Sequence, residues 1–180
     1  MEAVMNEMTD REEVWNTYMN YRETIYSTLA GKNVKENIVS EANWIIRSQA
    51  QSAADLGITL KQGDICFMDY GQQYLNEMAY QHFGLVINIF SRKAMVVPLT
   101  SNTHAYETAY DPIMNPSGKR HLMRIGLVKG LVRPSVLFLN DMRFINTARV
   151  IDIKAHIDPD SKLFRQIQQR LMYVMFHTES

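Results

Sequence analysis

Near residue 58 the chain changes from helical hydrophobic stripes with a period of about 3.6 to short β-rich runs, and few folds accommodate both halves. Before that point Val14, Tyr18, Tyr21, Ile25 and Leu29 step by four, three, four and four, the stripe of an amphipathic helix over residues 10–30. Thr9 or Asp10 serves as its N-cap and Gly31 as its stop. Ile38, Ala42, Ile45, Gln49, Ala53 and Leu56 form a second stripe ending at Gly57, with Trp44 on its flank. The pair reads as a helical hairpin linked by Gly31-Lys32-Asn33. From Thr59 onward come short β-rich runs at 65–70, 80–89, 94–99, 124–127, 135–139 and 150–153. Gln62-Gly63-Asp64, Ser91-Arg92-Lys93 and Asn115-Pro116-Ser117-Gly118 punctuate them. Many short strands with tight turns imply a small, strongly curved barrel rather than a parallel sheet. Asp158-Pro159-Asp160-Ser161 then opens a last helix whose stripe, Leu163, Ile167, Leu171 and Met175, is expected to close the barrel. The fold class is therefore α+β, with an extension over residues 1–58 and a barrel over 59–180.

Composition narrows the function. The 180 residues are 46% apolar and 21% charged, which excludes a disordered tail and a polybasic arm. Nineteen bases against nineteen acids conceal a split: residues 1–58 hold nine acids and five bases, the remainder ten acids and fourteen bases. A −4 extension beside a +4 barrel suits either a polyanion partner for the barrel or attraction between the halves; ordinary solvated faces explain it as well. Cys66 is the only cysteine, so no internal disulfide forms and a thiolate-rich zinc site is not expected. Glu2, Glu7 and Asp10 occupy the stretch where a signal peptide needs basic and apolar residues, and no apolar run approaches the roughly 20 residues of a membrane span. A soluble, cytoplasmic protein is the expectation.

Five strings, in one order, resemble the PemK/MazF family of toxins from toxin–antitoxin systems. Lys61-Gln62-Gly63-Asp64-Ile65-Cys66-Phe67-Met68-Asp69 is similar to the family's opening strand, and Asn76-Glu77 falls on its Ser-Glu-Gln-Gly loop. Gly84-Leu85-Val86-Ile87 resembles its "PALVI" strand, and Val96-Val97-Pro98-Leu99-Thr100-Ser101 its "VVPITS" strand. The run from Arg133 to Ile145 resembles "KPSVVLLDQIRTI". The resemblance covers roughly residues 59–178 and leaves out the helical extension. It implies an SH3-like barrel, usually a homodimer, that binds single-stranded RNA, cleaves it without metal or other cofactor, and is neutralised by an antitoxin partner.

Cleavage through the ribose 2′-OH needs a proton acceptor, a proton for the 5′-oxygen and donors around the phosphate. At the family's arginine, just before "PALVI", this chain has His82. Histidine exchanges protons near neutral pH, whereas arginine only stabilises charge, so the resemblance implies His82 as general acid or base. A strand histidine bonded to a backbone carbonyl is the structural alternative. Thr100 and Ser101 fall on the family's phosphate-contacting pair, or cap the turn toward Asn102. Glu77 is a base, a partner that sets the His82 tautomer, or a solvated loop charge; Asn76 lies beside it. Asn140 and Asp141 occupy the family's acid–Gln pair with the acid moved one place, onto the opposite face if the strand continues. Arg143 contacts RNA or pairs with Asp141 or Asp152.

The segment 103–129 carries His104, Tyr106, Tyr110, Lys119, Arg120, His121 and Arg124, a basic and aromatic mixture suited to single-stranded RNA and also to an ordinary surface loop. The histidines lack metal-ligand spacing, so no metal is assigned. The leading expectation is a PemK/MazF-like endoribonuclease with the acidic extension as modulator. Its rivals are a non-catalytic RNA- or protein-binding module and a CcdB-like topoisomerase poison. The latter typically acts through C-terminal residues, of which Phe176-His177-Thr178-Glu179-Ser180 shows no equivalent.

Overall fold

The computed structural model describes residues 5, 8, 10–29, 31–72 and 74–177; the alternative cap Thr9 and the final Thr178-Glu179-Ser180 lie outside them. The chain divides into two compact units, Met1–Val39 and Ser40–Ser180. That division falls earlier than the 58/59 boundary expected from the sequence. Within the second unit the Ser40 hydroxyl donates to Asp69 (2.7 Å), Arg47 Nη1 to the Val150 carbonyl (2.7 Å), and the Ala53 amide to Thr147 Oγ1 (3.0 Å). Helical periodicity runs through these residues, but their polar partners lie in the barrel.

Helix α1 is Arg11–Thr28, with the Asp10 carboxylate accepting from the amides of Glu12 and Glu13. Helix α2 is Gly31–Arg47. Gly31 therefore starts α2 instead of stopping α1, and Gly31-Lys32-Asn33 is helix rather than link. The second stripe also does not run unbroken to Gly57: α2 ends at Arg47, and a separate 3-10 turn, Ala53–Leu56, is closed by Gly57 in the left-handed region (φ 73°).

Seven antiparallel strands follow: β1 Asp64–Asp69, β2 Gln81–Phe90, β3 Lys93–Thr100, β4 Leu122–Gly126, β5 Ser135–Phe138, β6 Arg143–Asn146 and β7 Val150–His156. Short helix α3, Thr103–Thr108, sits between β3 and β4, and α4 is Lys162–Phe176. Sheet order is β4-β5-β3-β2-β1-β7, with β6 on the first half of β3 and β5 on its last two residues. Ile125 of β4 and Ala155 of β7, from opposite ends of that order, share one buried cluster with Ile65, Leu85, Val97, Leu99 and Leu137. The sheet must therefore curl around its own core, as a small barrel does.

Phe164, Ile167 and Leu171 of α4 complete this cluster. The closing face was expected one position earlier at its start: Phe164, not Leu163, is fully buried, and Met175 is exposed. A second cluster, Cys66, Met68, Tyr70, Val86, Ala94, Val96, Ile145 and Val150, lies on the other face of β1–β3. Full burial of about six such aliphatic side chains contributes on the order of 10 kcal/mol against the entropy of ordering the chain. Among the described residues no helix is long and apolar enough to cross a membrane.

Candidate functional site

Strands β2 and β3 end level with one another. Their register ends at the pair Phe83 and Leu99, after Gly84 and Pro98, so His82 and Thr100 each lie one residue beyond the last pair, on one face of the sheet. Across its other edge His82 pairs with Met68 of β1, and Thr100 with Val136 of β5. Arg143 of β6 pairs with Val96, four residues before Thr100 on β3, and so shares that face. The second core cluster thus ends in a polar rim of His82, Thr100 and Arg143.

Tyr70 fills the space beneath. It is buried, and a Cβ at position 84 would overlap its hydroxyl, which explains a glycine inside a strand. The Arg143 guanidinium carbon lies 5.5 Å from the Tyr70 ring centroid, and the same guanidinium is paired with Asp141. Burial above all pushes the Tyr70 phenol pKa up, so the hydroxyl stays protonated at neutral pH.

His82 Nδ1 is 2.7 Å from the Ala79 carbonyl oxygen. A carbonyl only accepts, so Nδ1 carries a proton; in the neutral ring the lone pair is then on Nε2, which has no partner among the described residues. The backbone bond expected of a structural histidine is therefore present, and it leaves the other nitrogen in the form a general base requires. On β3, Thr100 Oγ1 accepts from the Asn102 amide at 3.2 Å, so its own proton is available to donate. Asn102 is the N-cap of α3, accepting from the Ala105 amide at 3.0 Å. Ser101 is exposed beside it.

Asn76 and Glu77 project from the loop between β1 and β2, both exposed. Tyr70 and Tyr80 close that loop through the Tyr70 amide on the Tyr80 carbonyl and the Tyr80 amide on the Gly71 carbonyl, each 2.7 Å. Asn76 and Tyr80 hold positive φ of 70° and 56°. Asp141 Oδ2 accepts from the Met78 amide at 2.5 Å, pinning the loop from across the fold. The Ala79 carbonyl, one residue further, is then in place for His82. The tautomer-setting partner at Nδ1 is this carbonyl and not Glu77.

The expected alternation at Asn140 and Asp141 does not apply. β5 stops at Phe138 and Leu139–Asp141 form a 3-10 turn, leaving Asn140 exposed while Asp141 turns inward to Arg143 and Met78. Of the two carboxylates considered for Arg143, Asp141 takes it; Asp152 pairs with Lys154.

The segment after β3 is not part of the rim as a whole. Arg124 Nε donates to the Tyr106 carbonyl at 2.7 Å and Nη2 to the Glu107 carbonyl at 3.1 Å, so its guanidinium holds the last turn of α3. His104 is exposed on α3. Cys66 is fully buried and its thiol is pushed up to about 12, first by burial, which makes it no nucleophile at neutral pH. Among the described residues no group of three or more His, Cys, Asp or Glu is arranged to hold a metal ion. Tyr70 and Ala79 are the site residues that sequence reasoning missed; only Gly84, an interior strand glycine, signalled a close approach there.

No family model matches the sequence, and no curated protein matches it. Solved structures are similar to it. MazF from Deinococcus radiodurans has 13% identity and a TM-score of 0.48, covering 67% of this chain and 99% of that one. An endoribonuclease in complex with its cognate antitoxin, from a mycobacterial species, has 10% identity and a TM-score of 0.46 over 68% and 100%. The Mycobacterium tuberculosis toxin MazF-mt6 has 11% identity and a TM-score of 0.44 over 64% and 99%. At these identities the chain is similar to those toxins in fold alone.

Proposed function

We propose that the barrel is an endoribonuclease that cleaves single-stranded RNA by attack of a ribose 2′-OH, without a metal. The observation that carries this reading is the placement, on one face of the sheet and one residue beyond the last β2–β3 pair, of His82, whose neutral ring keeps a lone pair on Nε2, and of the Thr100 hydroxyl. Nε2 takes the 2′-OH proton as the 2′-oxygen bonds to phosphorus and the P–O5′ bond breaks; the departing 5′-oxygen takes a proton from water. Thr100 and Ser101 donate to the non-bridging oxygens, where charge develops. The products are a 2′,3′-cyclic phosphate and a 5′-hydroxyl. Glu77 and Asn76, on the pinned loop, contact the strand beside the cleaved bond, as does Asn140, while the Arg143–Asp141 pair holds that loop in place. In this reading the protein acts as a homodimer with an antitoxin partner, as the resemblance of its strand motifs implies, and the acidic extension modulates it.

The test is incubation of the purified chain with single-stranded RNA in EDTA, with products identified by mass spectrometry. Cyclic phosphate ends, lost in His82→Ala with RNA affinity retained, are expected. RNA that stays intact in the parent protein while still binding would reject catalysis in favour of the binding module, and cleavage surviving His82→Ala would reject the base.

A further inference from the structure

A second group of planar side chains lies where the loop before β4 meets α4. The guanidinium carbons of Arg120 and Arg170 are 5.3 and 5.2 Å from the Tyr110 ring centroid. Arg170 is also 5.3 Å from the Tyr173 centroid, and His177 stacks on that ring at 4.4 Å with the planes 10° apart. Arg120 Nη1 donates to Tyr173 Oη at 3.0 Å, and Arg170 Nη2 to the Arg120 carbonyl at 2.5 Å. His177, Tyr173, Arg170, Tyr110 and Arg120 thus form one continuous stack, exposed at its His177 and Arg120 ends.

Two cations held on one ring repel, and among the described residues no carboxylate pairs with either. The bonds above occupy one of the five N–H donors on each guanidinium, and the rest form forks suited to phosphate oxygens. A bound anion would remove the repulsion, and the stacked rings hold the forks in place before it arrives. Guanidinium charge interleaved with stacking faces fits a nucleic-acid strand better than a phosphopeptide, which has no bases to stack.

We propose that Arg120 and Arg170 form a platform for backbone phosphates of single-stranded RNA, with a base stacking on the exposed face of His177. The platform deepens the RNA reading above and rests on it. β4 is separated from β2 by β5 and β3, so the platform lies about 14 Å or more along the sheet from the His82 strand at ordinary strand spacing. It would engage a long strand and not a fragment spanning only the cleaved bond.

The experiment measures binding of the full chain to labelled single-stranded RNA of about 20 nucleotides and to one of a few nucleotides, over a salt series in EDTA. Arg120→Gln with Arg170→Gln should weaken the long RNA about ten-fold and flatten the slope of log affinity against log salt by about 1.4, the release expected for two phosphates. Binding of the short RNA should not change. Arg120→Lys should keep the slope while losing part of the affinity, because it keeps the charge and not the stack. Arg120→Gln alone, at an exposed loop position, should show half the slope change with an unaltered melting temperature. An unchanged slope and affinity for the long RNA, an equal loss on both RNAs, or no RNA binding by the parent protein would overturn the platform. Absence of cleavage with the slope change intact would defeat the endoribonuclease reading and leave the platform standing.

Discussion

The barrel seats arginines on tyrosines at several places, and two of these differ in their counter-charge. Arg143 on Tyr70 is largely buried and paired with Asp141, which in turn holds the Met78 amide. Arg120 and Arg170 on Tyr110 are joined by no carboxylate among the described residues and reach the surface. The first is an internal lock: its charge is spent on holding the loop that orients His82. The second keeps its charge for something outside the chain. Residue type alone does not separate the two; their partners do, since Arg143 has a carboxylate beside it and Arg120 and Arg170 have none among the described residues.

Substitutions in each region separate the two uses. The largest effect belongs to His82→Ala, which should lower RNA cleavage about 10²–10⁴-fold, the range of a lost general base, while leaving RNA affinity near its parent value. Equal losses in both would make the rim a binding site and merge the two regions. Next, Asp141→Ala should cost about 3 kcal/mol in urea unfolding, because it strands the Arg143 charge and the Met78 amide together. Arg120→Gln, with no buried partner to strand, should stay within about 0.5 kcal/mol. Gly84→Ala should cost about 1–3 kcal/mol and displace Tyr70, visible as a coupled fall in stability and cleavage.

The smallest effects concern pH, and their signs are opposite. Cys66 shares the Tyr70 core, and its folded pKa, near 12, lies above the unfolded value of about 8.5. The folded state keeps the proton, so that stabilisation is whole below about pH 8.5 and declines as pH rises toward 12. The native thiol should therefore resist a thiol reagent at mildly alkaline pH and react once urea unfolds the chain. Asp111, next to Tyr110, has its pKa lowered, first by the Met114 amide and then by that of Ile113. Its contribution is present above the ordinary carboxylate pKa of about 3.9 and is lost as pH falls through the lower folded value. Protection of the Ile113 and Met114 amides against exchange, relative to the intrinsic rate, should fall at acid pH before the barrel core opens.

Much of this was legible in the residues. Six of the seven strands fall where β-rich runs and turn residues put them, because each is a short run bounded by turn material. β6 was missed: it is four residues long and buries only Ile145. α3 was missed because six residues make no complete stripe and its last turn is held by Arg124 from the later strand β4. His82 and Thr100 were both singled out, yet their place on one face at neighbouring strand ends follows only from the β2–β3 register.

Local period and residue type alone carry the α+β order of elements, the candidate residues of the rim and the acid–base split along the chain. The tertiary structure decided which nitrogen of His82 carries the proton, that Asp141 spends its charge on Arg143, and that Arg170 joins Arg120 over one tyrosine. Those three depend on groups 3, 2 and 50 residues apart in sequence whose spacing is set by loop closure and packing. Separation alone is uninformative: even the shortest, between Asp141 and Arg143, required the chain to leave the strand and turn, an outcome fixed by the buried partners it gains.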